Sequence, residues 1–187
     1  MNLQESLASF VTPIYGKTSR SIETYRTVAD YCKTNLSRLI AEYHAVQNNQ
    51  QLLREIRNDI DYYLRRYHKY CIKERKDVGA HYYEIGADAE CEFEHLIPKA
   101  RIRDLLLSHK ITVEQALNAP TVVLSRAKHR ALKDAGWAAK TPDMWRPFRR
   151  YGQVFTAQYQ TYDGTAIDPE TWTLEQHYAY FQHLVIV

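Results

Sequence analysis

Glu94-His95 sets a carboxylate beside an imidazole, Pro98 follows three residues later, and a second imidazole, His129, sits on a basic stretch downstream. A carboxylate and an imidazole suit one hard or borderline divalent cation, with water and phosphate oxygens completing its shell. A neutral imidazole can take a proton from water near pH 7. These are the needs of metal-assisted phosphodiester hydrolysis: a nucleophilic water, a proton acceptor, and positive charge at the scissile phosphate and the leaving oxygen. Each residue alone has a plainer reading. His95 at a strand end can be a hydrogen-bonded structural histidine, Glu94 and His129 can be solvated surface, and Asn118 before Ala-Pro can be a turn residue.

The surrounding pattern supplies elements to carry them. Residues 91–95 alternate as a strand that ends before Pro98, and residues 81–85 form another, with Gly86-Ala87-Asp88 as a turn. Residues 100–109 read as a helix. Thr112-Val113-Glu114-Gln115 has capping-box spacing and opens a short helix ending near Asn118. Pro120 breaks it, residues 121–124 form a short buried strand, Ser125 is an N-cap for a helix over 126–135, and Gly136 marks its stop.

The run Cys91-Glu92-Phe93-Glu94-His95-Leu96-Ile97-Pro98, followed by residues 118–130 with Asn118 and His129, resembles the HNH motif of the ββα-metal endonucleases. The resemblance covers roughly residues 80–135. It implies a strand, an Ω-like loop, a strand and a helix. It makes His95 the general base that activates water, Glu94 and His129 the ligands of one divalent metal (Mg²⁺, with Mn²⁺ or Zn²⁺ as alternatives), and Asn118 the residue that holds the loop and orients the base. Two features depart from the pattern. Asn118 lies 11 residues before His129, farther than is usual, with Pro120 where the family's Asn is expected. The position one turn beyond His129 is Lys133, which cannot bind a metal while protonated, so the site uses two protein ligands or borrows another acid such as Glu92. The CxxC pairs that brace some members are absent from the sequence.

Upstream, residues 20–46 and 51–75 each carry apolar residues at three- and four-residue steps, separated by Gln47-Asn48-Asn49-Gln50, which predicts an antiparallel helix hairpin. The second helix is basic on its outer side, with Arg54, Arg57, Arg65, Arg66, Lys69, Lys73, Arg75 and Lys76, and Tyr62, Tyr63, Tyr67 and Tyr70 would line its junction with the rest. Downstream, Trp137, Trp145, Phe148 and Tyr151 interleave with cations, and residues 171–183 could form a helix before the apolar end 184–187. The expectation is an α+β, mostly helical chain: one compact domain over 1–187, with a helical module at 1–77, an HNH-like core at 78–150 and an acidic aromatic extension at 151–187.

Charge follows this division. The net charge is +3 over 187 residues, yet the last 37 hold Asp163, Asp168, Glu170 and Glu175 and no Lys or Arg, so the first 150 carry +7. Such asymmetry favours a nucleic-acid face. Arg126, Lys128, Arg130, Lys133, Arg146, Arg149 and Arg150 are the candidate contacts to DNA, with RNA the lesser expectation. No apolar run approaches the ~18 residues that cross a bilayer, Met1-Asn2-Leu3-Gln4-Glu5 lacks a signal-peptide layout, and Cys32, Cys71 and Cys91 without a CxxC suit a reducing interior. The expectation is an intracellular, cytoplasmic endonuclease. A non-catalytic nucleic-acid-binding protein and an RNA-cleaving relative are the alternatives.

Overall fold

Two helices open the structure, a computed structural model that describes residues 22–68, 80–87 and 90–181, with side chains from residue 27 onward. Helix α1 spans Ile22–Ala45 and α2 spans Gln50–Tyr67. Asn49 caps α2 by accepting a 3.0 Å hydrogen bond from the Leu52 amide. Leu53, Ile56, Ile60, Leu64 and Tyr67 make the buried stripe of α2 and pack in one core with Ala29, Cys32, Leu36 and Leu39 of α1. Tyr31 meets Tyr63 with ring centroids 5.7 Å apart, and Arg57 lies 5.9 Å over Tyr43. Early residues of one helix therefore meet late residues of the other, as an antiparallel hairpin requires. The expected continuation of the second helix to residue 75, with Lys69, Tyr70, Cys71, Lys73, Arg75 and Lys76, lies outside the described residues. So does the apolar end 184–187.

The rest of the described chain is built on a mixed sheet of five strands: β1 Tyr82–Glu84, β2 Cys91–His95, β3 Thr121–Ser125, β4 Tyr159–Thr161 and β5 Ala166–Ile167. Their order across the sheet is β2-β3-β1-β4-β5. β1 and β3 run parallel, and the other neighbours are antiparallel. β3 is buried along its whole length because it has a strand on each side and cover on both faces, which accounts for its unbroken Thr-Val-Val-Leu run. β2 is one edge strand and β5 the other.

Between β2 and β3 the chain forms α3, Lys99–Leu107, and α4, Val113–Leu117. The capping box is present: Thr112 accepts from the Gln115 amide, and the Gln115 side chain accepts from the Thr112 amide. Helix α5, Arg126–Asp134, leaves β3 directly, and Gly136 follows it at φ 74°. Two short helices complete the described chain, α6 Arg149–Gly152 and α7 Leu174–Tyr180. The fold is thus α+β, with seven helices among the described residues.

Two local expectations need correction. Ser125 occupies the N-cap position of α5, but its side chain makes no capping bond. The start of the helix is held instead by Glu84, which accepts from the Ser125 amide at 2.9 Å, and by the Glu90 carbonyl, which accepts from the Arg126 amide at 2.7 Å. β4 and β5 also lie where no strand was expected. Three and two residues are too few to show alternation, although Asp163-Gly164 between them is a hairpin signal, and Gly164 takes φ 90°.

Candidate functional site

Strand geometry divides the candidate residues. Successive side chains of a strand leave on opposite faces, so Glu92 and Glu94 share one face of β2 while Phe93 and His95 share the other. Glu92 and Glu94 face α5, where residues three apart share a helix side. Arg126 Nε lies 3.4 Å from Glu92 Oε1, and His129 Nε2 lies 3.2 Å from Glu94 Oε2. His95, the last residue of β2, turns toward the end of α2. Its ring centroid is 4.7 Å from that of His68 and 5.3 Å from that of Phe93.

Glu94 has a second partner. Arg150 on α6 has no exposed surface, and its Nη2 donates to Glu94 Oε1 at 2.7 Å and to the Ala138 carbonyl at 3.0 Å. Its Nη1 donates to the His95 carbonyl at 2.7 Å and the Leu96 carbonyl at 3.2 Å. This corrects the expectation that Arg150 contacts nucleic acid: the guanidinium is buried and committed to the end of β2. Two donor atoms 3.2 Å apart on Glu94 and His129 are within the span of two ligands that each sit about 2.0–2.3 Å from one cation. Among the described residues no group of three His, Cys, Asp or Glu side chains assembles.

The remaining cations differ in how free they are. Lys128 is tied to the buried Glu84, and Arg126 to Glu90 and Glu92. Arg130, Lys133 and Arg146 are exposed and have no ion pair among the described residues. Arg149 is partly buried. Trp145 is 52% exposed, whereas Phe148 and Tyr151 are core residues. Of the helix tyrosines, Tyr67 is buried, while Tyr62 is exposed and Tyr63 packs on Tyr31 within the hairpin.

Asn118 is buried and does not touch His95. Its Oδ1 accepts from His81 Nε2 at 2.8 Å, and its Nδ2 donates to the Phe181 carbonyl at 3.2 Å. His81 Nδ1 lies 2.8 Å from Thr121 Oγ1. The Asn118 carbonyl accepts from His177 Nε2 at 2.7 Å, so the neutral His177 ring accepts at Nδ1 from the Tyr82 hydroxyl at 2.8 Å, which in turn accepts from Trp172 Nε1 at 2.8 Å. Asn118 therefore ties the end of α4 to His81, just before β1, and through its carbonyl and side chain to His177 and Phe181 at the end of the described chain. What touches the His95 ring instead is His68, at 2.7 Å between Nε2 and Nδ1.

Burial keeps these imidazoles neutral. It pushes His68 and His177 down to about 4, and it takes His81 and His95 well below the usual histidine value, with His177 adding to the effect on His81 and His68, Lys99 and Arg150 to that on His95. Sequence reasoning passed over His68, His81 and His177. His68 could have been found, since it extends the buried four-residue step Ile60, Leu64, His68. The other two pair over 37 to 95 residues of chain and leave no local signal.

Comparison with family models, with curated proteins and with solved structures returned no match.

Proposed function

We propose that the chain is a metal-dependent endonuclease of the HNH type that hydrolyses phosphodiester bonds in DNA. The observation that carries this reading is the 3.2 Å approach of Glu94 on β2 to His129 on the helix that follows β3, one residue before His95 at the strand's end. Glu94 and His129 would hold one divalent cation, Mg²⁺ or alternatively Mn²⁺ or Zn²⁺. When bound, the ion supplies positive charge to the phosphodiester and its leaving oxygen, with water and phosphate oxygens as its other ligands. His95 takes the proton of the attacking water. Arg130, Lys133 and Arg146, the exposed cations of α5 and the segment after it, contact phosphates and release counterions. Arg150 holds the Glu94 carboxylate in place from the buried side.

The test is incubation of purified protein with supercoiled plasmid and Mg²⁺ or Mn²⁺, with and without chelator. Metal-dependent nicking or linearisation that His95→Ala abolishes is the expected result; uncut plasmid in every metal would defeat the reading. RNA digested beside the DNA separates the two substrates.

A second reading has its own observation. Because Arg150 already balances the charge of Glu94, the cluster of Glu94, His129 and Arg150 also suits an ion-pair network in a nucleic-acid-binding protein without catalysis. That protein would bind DNA in a salt-sensitive manner, unaffected by chelator, and would leave it intact.

A further inference from the structure

The bonds around His95 determine which of its nitrogens carries the proton. A backbone carbonyl can only accept. The Leu117 carbonyl lies 2.9 Å from His68 Nε2, so that nitrogen carries a hydrogen. His68 is buried and neutral, so its Nδ1 has the lone pair. His95 Nε2, 2.7 Å away, must then be the donor of that bond. A neutral His95 with its hydrogen on Nε2 has its lone pair on Nδ1, and among the described residues Nδ1 has no hydrogen-bond partner.

We propose that His68, which lies outside the strand–strand–helix unit, is the positioning residue that sets the tautomer of His95 and so presents Nδ1 as the proton acceptor. The proposal rests on the endonuclease reading, in which His95 is the general base. Its geometric part stands on the three-membered chain of Leu117 carbonyl, His68 and His95 alone. The chain is anchored from the far side as well. Leu117 and Asn118 end α4, where helix carbonyls lack intrahelical partners. The first of these carbonyls takes His68 and the second takes His177 of α7. The Asn118 side chain adds bonds to His81 and to the Phe181 carbonyl. The peptide unit that dictates the tautomer is thus held between α2 and α7, with little freedom to turn its carbonyl away.

The role of His68 is to offer an acceptor at the place of its Nδ1. An asparagine at that position can offer one with its Oδ1; a phenylalanine cannot. Both substitutions leave the Leu117 carbonyl without its donor, so the comparison between them separates positioning from stability. Without an acceptor at this place nothing fixes the His95 ring, and a base held in the wrong tautomer or orientation loses most of its rate.

The experiment has two readouts on the full chain. The first is the ¹⁵N spectrum of the imidazoles, with His95 assigned from the His95→Gln protein. The expected pattern is a protonated Nε2 and an unprotonated Nδ1 for His95 and for His68 alike, and a hydrogen on His95 Nδ1 overturns the proposal whether or not the protein cuts DNA. The second is plasmid cleavage with Mg²⁺. His68→Phe is expected to lower kcat by about 100-fold or more with KM within about twofold, and His68→Asn to recover at least about tenfold of that loss. Equal kcat in the two variants overturns the proposal. Absence of cleavage by the unsubstituted protein defeats the endonuclease reading, while the spectrum still decides the tautomer.

Discussion

Two histidine pairs flank the carbonyls of Leu117 and Asn118, and they differ in one atom. In the pair on the α7 side every ring nitrogen has a partner: Thr121 and Asn118 Oδ1 for His81, Tyr82 and the Asn118 carbonyl for His177. In the pair on the α2 side the same accounting leaves His95 Nδ1 over among the described residues. Both pairs are kept neutral by burial. Burial and a depressed pKa therefore do not separate a structural imidazole from a reactive one; the unfilled valence does. In the proposed reading His81 and His177 are structural, and His95, at the end of an edge strand, keeps a lone pair for chemistry.

The sharpest way to break this contrast is to remove each member. His95→Ala is expected to lower the cleavage rate by about 10²–10⁴-fold, the range for a lost general base, with the fold retained. His177→Leu is expected to leave DNA binding intact and to act on stability, measured by urea unfolding. A cleavage loss in His177→Leu equal to that in His95→Ala would erase the distinction.

Next in size is the buried ion pair. Arg150→Met leaves the partly buried Glu94 carboxylate without its guanidinium and frees the carbonyls of Ala138, His95 and Leu96. Loss of one partner of such a pair costs about 3–5 kcal/mol. The double variant Glu94→Gln, Arg150→Met should be more stable than Arg150→Met alone, since the uncompensated charge is gone. Chemical denaturation of the unsubstituted protein, Glu94→Gln, Arg150→Met and the double variant checks it.

Acid offers a third test, and all four buried histidines enter it. His177 is neutral in the folded chain, with its pKa depressed to about 4, while in the unfolded chain it titrates near 6.5. Above 6.5 both states are neutral and stability is full. Between 6.5 and 4 the unfolded chain binds the extra proton, so stability falls with falling pH, by about 3 kcal/mol for His177 by the lower end. His68, His81 and His95 shift in the same direction and add to the loss. Urea midpoints at pH 7 and pH 5 should show the drop, and His177→Leu should lessen it by the share of that one group.

The smallest effects concern the cations. Arg130→Ala and Lys133→Ala should each lower the slope of log binding constant against log salt by about one unit and weaken every DNA sequence alike. Lys128→Ala should change that slope less, because its ammonium is held by Glu84. Binding measured at several salt concentrations distinguishes them.

Local signals made much of this legible. The strand 91–95, the buried strand from Thr121, the capping box at Thr112 and the helix from Arg126 each follow from period or from residues three or four apart, and each is present. From those elements the meeting of Glu94 with His129 also follows, since strand residues two apart and helix residues three apart share a face. What sequence left hidden is non-local. Arg150 sits in a run of cations that reads as surface, and only the carbonyls of His95, Leu96 and Ala138 explain why it is buried. The resemblance makes Asn118 the residue that orients His95, but the ring that touches His95 is that of His68, 27 residues earlier in the chain. No spacing rule links the end of a helix to the end of a strand 27 residues later.

The central claim is that Glu94, His95 and His129 form a metal-dependent phosphodiesterase. Its most direct test is single-turnover cleavage of plasmid DNA by the unsubstituted protein and by His95→Ala, each with Mg²⁺ and each with chelator. The account predicts cutting by the unsubstituted protein with Mg²⁺ only, and none by the variant. Equal rates in the two proteins, or cutting that persists with chelator, would contradict it.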